Sequence, residues 1–381
     1  MPNRNAYEAS NFATEFGEMV ASLHGFEICC EPWRLYYDET ENWRSISYKN
    51  GRVSDPRAFE KDFILGGILL TDEAAIGDLK EGVQKLPSPN GEIKSKSMFG
   101  GSSDFWKVLK RQETTNYLDL IDRDGISVHY HAQDNLYFSI VDIVDSLIAI
   151  PAHNACFMFN RELKDELYLC ARQDPIAFLN GLAHYGYPNI EQNDLRDFCE
   201  FLLYVISSRQ MTACPADEPE GFILETLRQM VKAASKERTL LLLEGNGEGA
   251  LVEDFSGHYT TTCTVLPNAK HFFDEESHIS MALAAPIGNY EFVDSKSEPL
   301  IQLSDVWVGL LSRVFSFLDG WVRNPYMPEK RLLHSREMEN LRTVKRLIDR
   351  ANDLHRSLIS NTNANSTIIG RENALNIICN L

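Results

Sequence analysis

Helical spacing of Tyr7, Phe12, Phe16, Val20 and Leu23 predicts a packing helix over 6–24. Three strand patterns follow: RLYYDE at 34–39, RSISYK at 44–49 and KDFILGGILL at 61–70. The third is apolar nearly throughout, as in a strand covered on both faces, and is placed at the centre of a sheet. TDEAAIGDLKEGVQKL begins with a threonine cap and acids in its first turn, so a helix is expected there. Pro87, Pro89 and Gly91 punctuate a polar loop that leads to a helix capped near Ser103. GISVHYHA, 125–132, reads as another strand with His129 and His131 on one face.

Over 137–236 the pattern turns mainly helical, as expected of an insertion. RTLLLLEGNGEG then predicts a buried strand ending at Glu244 in a glycine-rich turn, and NYEFVDSKSEP, 289–299, a last strand with its exit turn. LIQLSDVWVGLLSRVFSFL, 300–318, is a helix apolar on nearly every face, and a basic amphipathic helix is expected over about 329–359, before the loop SNTNANST and a short tail. The expected division is an N-terminal helical segment, 1–33; an α/β core of 34–136 and 237–320; a helical insertion, 137–236; and a C-terminal helical extension, 321–381.

A chain of 381 residues, 44% hydrophobic and 24% charged, has the composition of an ordinary globular protein of about two domains, or one with a large insertion. No apolar run approaches the roughly 20 residues of a spanning helix, and the N-terminus lacks a signal-peptide core, so a cytoplasmic protein without membrane contact is expected. Eight cysteines without a C-x-x-C pair are read as free thiols. A net charge of −18 argues against non-specific coating of nucleic acid, though not against a nuclease that reaches phosphates through metal ions. The stretch 329–356 is nevertheless net basic.

Acids stand at 38, 244 and 294 where each apolar run stops, and Asp305 lies inside the apolar helix. An ionised carboxylate there is costly unless paired or metal-bound. Gln302, Asp305 and Gly309 share a helix face by three- and four-residue spacing, with Gly309 leaving room for close approach. Carboxylates from separate elements meeting over a sheet edge suit magnesium, and two such ions roughly 4 Å apart can cleave a phosphodiester. Plainer readings stay open: an acidic hairpin turn at Asp38, a cap or Asx-turn at Asp294, and a solvated loop acid at Glu92.

YYDETENW, DFILGGILL, GEIKSK and FVDSKSEPLIQLSDVWVGLLSR together resemble the bacterial domain-of-unknown-function 3800 family of the ribonuclease H-like superfamily. That pattern runs Y-x-D-E-S-G, an apolar Gly-Gly strand, E-x-K, then D-S-K and Q-L-A-D-x-x-x-G. The resemblance covers 34–318 and is most specific in its last block. It implies a ribonuclease H-like mixed sheet flanked by helices and a metal-dependent nuclease, often near mobile elements or phage defence. Carried over residue by residue, it makes Asp38, Glu92, Asp294 and Asp305 catalytic, and Asp38, Asp305, Asp294, Glu39 and Glu244 ligands for Mg2+ or Mn2+. Lys94, Lys296 and Gln302 would bind substrate. Four positions depart: Thr40-Glu41 stand for Ser-Gly, Ser304 for Ala, and Glu244 for a strand-end Asp.

The expected partner is thus a nucleic acid, DNA or RNA, with the basic C-terminal helix a further surface for a protein partner or a second copy. Two rival readings are an inactive ribonuclease H-like binding or regulatory module, and a defence effector held silent in a larger assembly.

Overall fold

The computed structural model describes residues 4–88, 91–102, 104–213, 219–237, 240–247, 249–275, 279, 287–324 and 335–380. Six strands form the main sheet, in the order β8 (Tyr290–Val293), β7 (Lys270–Asp274), β1 (Arg34–Thr40), β4 (Phe63–Leu70), β5 (Ile126–Gln133) and β9 (Ile359–Thr362). β1, β4 and β5 run antiparallel in turn, while β7 is parallel to β1, β8 to β7 and β9 to β5. Every residue of β4 is buried, as its unbroken apolar run requires of a central strand. The fold is a mixed α/β sheet flanked by helices.

RSISYK is a strand, β2 (Ile46–Lys49), but it joins a separate small sheet with β3 (Arg52–Val53) and β6 (Ala250–Val252). The strand expected before Glu244 is absent: Leu241–Leu243 form a 3-10 turn, and Arg238 and Thr239 lie outside the described residues. An apolar run satisfies any buried element, and this one docks by Leu243 oxygen to the Ile190 amide and by the Leu242 amide to Ser146. SNTNANST is not a loop and tail but β9 followed by a helix of 365–379. Ser103 and Pro89 fall outside the described residues; the helix expected near Ser103 starts after Asp104, whose carboxylate accepts from the Lys107 amide.

In chain order the helices are α1 (Arg4–His24), α2 (Ala75–Val83), α3 (Ser95–Met98), α4 (Phe105–Lys110), α5 (Gln112–Ile121), α6 (Asn135–Ile148), α7 (Asn160–Ala171), α8 (Pro175–His184), α9 (Leu195–Ala213), α10 (Pro219–Ala234), α11 (Ser256–Val265), α12 (Pro299–Arg323), α13 (Arg336–Leu354) and α14 (Asn365–Cys379). The helices α6 to α10 share one continuous apolar core with the sheet. The basic helix proves to be α13, whose Leu341, Val344 and Leu347 are buried while Arg346 and Arg350 pair with Asp122. The seven described cysteines are free.

α12 lies across β1 and β4 on a buried apolar face, and one of its hydroxyls also bridges the two strands. Ser304 Oγ donates to the Tyr36 carbonyl of β1 at 2.9 Å and accepts from the Ile68 amide of β4 at 3.2 Å. The approach is possible because Gly67 faces it: a Cβ there would stand 2.2 Å from Ser304 Oγ and 2.1 Å from the Tyr36 oxygen. By length and composition α12 could cross a bilayer, but 78% of its apolar window is buried within the protein.

The opposite sheet face is covered by α1 and α11, and beneath them His129, His131, His258 and His271 are buried. His129 meets the Tyr36 carbonyl, His131 the Thr362 hydroxyl, His258 the Gln133 amide and His271 the Tyr37 hydroxyl. Burial lowers all four, to about 3 for His129 and about 4 for His258 and His271, so they are neutral in the fold.

Two outcomes are expected. Gly67→Ala lowers the urea midpoint by about 3 kcal/mol of stability, because strand and helix must part to admit the methyl. Protons taken up by these histidines below pH 6.5 favour the unfolded chain, so stability is fully present above that value and is lost as pH falls toward 4. A lower urea midpoint at pH 5 than at pH 7, with a smaller gap in His258→Gln, checks this.

Candidate functional site

Alternation along β1 sends Tyr36 and Asp38 to the α12 face and Tyr37 and Glu39 to the other. Its parallel neighbour β7 repeats the chemistry in register, Tyr36 beside Phe272 and Tyr37 beside Phe273, with ring centroids 4.8 and 4.5 Å apart. The strands therefore end side by side on Asp38-Glu39 and Asp274-Glu275, and these four acids line a cleft of about 100 Å³. Burial pushes Asp38 well above the usual carboxylate range, the charge of Asp305 adds to it and that of Asp274 adds less. The Glu39 amide, 2.6 Å from Asp38 Oδ1, and Lys94 act the other way.

Because Ser304 fixes α12 on the sheet, the next residue, Asp305, overlooks this strand end. Its Oδ2 accepts the Ser95 amide at 2.6 Å; burial raises it, and that amide and Lys94 oppose the rise. Gly309, one turn on, seats the first turn of α3: a Cβ there would meet Ser95 Cβ at 2.5 Å. Gln302 accepts the Ile93 amide at 2.9 Å and donates to the Ser295 carbonyl at 2.8 Å. Its buried amide is thus committed to backbone at both ends, so it joins two loops rather than meeting substrate.

Those loops bring two further groups. Lys94 Nζ is 2.8 Å from Glu92 Oε1. Burial lowers the Lys94 ammonium, but the Glu92 bond and the charges of Asp305 and Asp38 outweigh it and hold its pKa above the usual value. Ser295 donates its amide to Asp274 Oδ1 at 3.2 Å and its hydroxyl to Glu92 at 3.4 Å. Glu92, Lys94, Asp274 and Asp305 so surround Asp38.

Of the other sequence-derived residues, Asp294, Lys296 and Glu244 stand apart, while Glu39 lines the cleft from the opposite strand face. Asp294 is exposed and accepts the Lys296 amide at 2.9 Å in an Asx-turn, with Lys296 exposed beside it. Glu39, on the far strand face, is held by the Tyr259 hydroxyl and by Asn42. Glu244 ends the 3-10 turn rather than a strand, whereas Asp274 ends β7 beside Asp38. The missed signal was the doubled aromatic-aromatic-Asp-Glu, YYDE and FFDE. Glu41, where the family pattern has glycine, takes φ 56°, the left-handed conformation that favours glycine.

Arg313 is a second group missed. It continues the face of Asp305 and Gly309, with Nη1 on the Gly309 carbonyl at 2.5 Å, Nε on the Ser102 carbonyl at 3.2 Å, and its guanidinium over Phe99. Burial lowers its pKa, while the charges of Asp305 and Glu41 support it.

Oxygen donors throughout suit a hard divalent ion. Even so, among the described residues no three His, Cys, Asp or Glu side chains form a ready-made metal-binding group. No protein-family model, curated protein or solved structure matches the chain.

Since the folded state raises Asp38 above its unfolded value, its ionisation destabilises the fold increasingly as pH rises from about 4. Asp38→Asn removes that penalty. The variant is expected to melt near the wild type at pH 4 and above it at pH 8 without metal; equal melting at both would contradict the electrostatic crowding.

Proposed function

We propose that the chain is a metal-dependent phosphodiester hydrolase of ribonuclease H-like architecture, acting on DNA or RNA with Mg2+ or Mn2+. The observation that carries this reading is the convergence of Asp38, Asp274 and Asp305, from two adjacent strand ends and the helix above them, where the charges of Asp305 and Asp274 add to burial in raising Asp38. The mixed sheet of three antiparallel strands with further parallel strands supports the reading, as does the acid on the helix that crosses it.

In this reading Asp38 and Asp274, with Asp305, would hold the ion. A bound divalent ion supplies an activated water and neutralises charge at the displaced oxygen. Glu92, held by Lys94 and Ser295, would stand beside the reacting phosphate as a proton acceptor. Lys94 flanks the acids and would take the substrate phosphate, while Arg313, held by the Gly309 and Ser102 carbonyls, lends its charge beside Asp305. Gln302 and Ser304 act only by position.

The inactive-module reading is favoured by one observation: Lys94 already supplies a positive charge among these acids, and no ready-made three-ligand group stands among the described residues. Manganese titration separates the two. Mn2+ is expected to raise the melting temperature of the wild type and to support cleavage of a labelled oligonucleotide. Asp38→Asn and Asp274→Asn should lose both, activity falling by more than the roughly 10 to 100-fold typical of an outer-shell change. Glu244→Gln should keep both. Full cleavage by Asp274→Asn, or no response of the wild type to Mn2+, would overturn the hydrolase.

A further inference from the structure

At the far edge of the sheet, α13 and α14 close over β9 and leave a cleft of about 580 Å³, within the range of small-molecule sites. Its inner wall carries Tyr130 of β5 and Phe315 of α12, packed edge to face at 5.5 Å, with the half-buried Ile348, Ile359 and Ile368 around them. The cleft belongs to none of the carboxylate chemistry described above. It calls for a ligand of its own.

The polar groups narrow the ligand. Arg371, which stacks on Phe315, is bound by Asp62 at 2.6 Å and by Asp319 at 2.7 Å, and Lys345 by Asp349. With those cations answered within the protein, and Arg356 and Glu372 adding one charge of each sign, the cleft is not built for a strongly ionic ligand. What remains is a set of carboxamides, Asn352, Asn361 and Asn376, with Asn361 bonded to the Tyr130 side chain.

A carboxamide offers a donor and an acceptor side by side, the pattern that matches the edge of a nucleobase, and aromatic and aliphatic walls match its faces. We propose that this cleft binds a neutral heteroaromatic ring of nucleobase type, as a free nucleoside or as an unpaired base of a strand. The site stands independently of the hydrolase reading, because it shares no residue with the acids.

The test is a thermal-shift titration of the full chain with adenosine, guanosine, cytidine and thymidine, a five-nucleotide single strand, and decanoate as an apolar anion. Stabilisation by at least one nucleoside is expected. It should be lost in Ile368→Trp, which fills the cleft, and weakened at least tenfold in affinity in Asn352→Lys, whose site is exposed enough to leave folding intact. A shift with the oligonucleotide alone, abolished by the same variants, assigns the cleft to a strand's base. Stabilisation by decanoate alone, no shift with any base, or a shift unchanged in both variants would overturn the proposal.

Discussion

One hydroxyl sets the geometry on which the rest depends. Ser304 joins α12 to β1 and β4 together, by the Tyr36 carbonyl and the Ile68 amide, and it reaches them only because Gly67 has no side chain. Helix and sheet meet through backbone at that point, closer than packed side chains allow. The residue after Ser304 is thereby fixed over the end of β1. The Ser304 hydroxyl bridges the Tyr36 carbonyl and the Ile68 amide, a contact that a residue without a side-chain oxygen could not make.

The same contact creates the electrostatic tension. Asp38 is half-buried beside the carboxylates of Asp305 and Asp274, and that setting favours either its protonated form or a nearby cation. Within the chain the answer is incomplete: the Lys94 ammonium bonds Glu92 and lends its charge to Asp38 and Asp305, while amides of Glu39 and Ser95 each hold one oxygen. A site that tolerates this much mutual repulsion is prepared for added positive charge. That preparation, more than any single distance, favours the hydrolase over a silent module.

How much of this the sequence disclosed follows from the strength of each pattern. β4 and α12 are long and apolar, β1 and β5 are rich in aromatic and branched residues, and all four were legible with Asp38 and Asp305 upon them. β7 was not, because five residues, KHFFD, carry too short an apolar run to be read as a strand, and so Asp274 was passed over for Glu244 at the end of a more apolar run. β9 and the start of α14 were hidden by their Asn, Ser and Thr, which read as loop; pairing with β5 and burial of Arg371 override that composition. Gln302 was legible as a residue on the right face, but its role was not, since no spacing rule shows that both ends of its amide meet backbone from distant loops.

The most direct measurement of the central claim is a crystal structure of the protein soaked in Mn2+, with anomalous scattering collected at the manganese edge. The account predicts one or two peaks bound by Asp38 and Asp274, with the Asp305 carboxylate turned from the Ser95 amide toward them. A featureless map at the ends of β1 and β7, with Lys94 still on Glu92 and Ser95 still on Asp305, would contradict it.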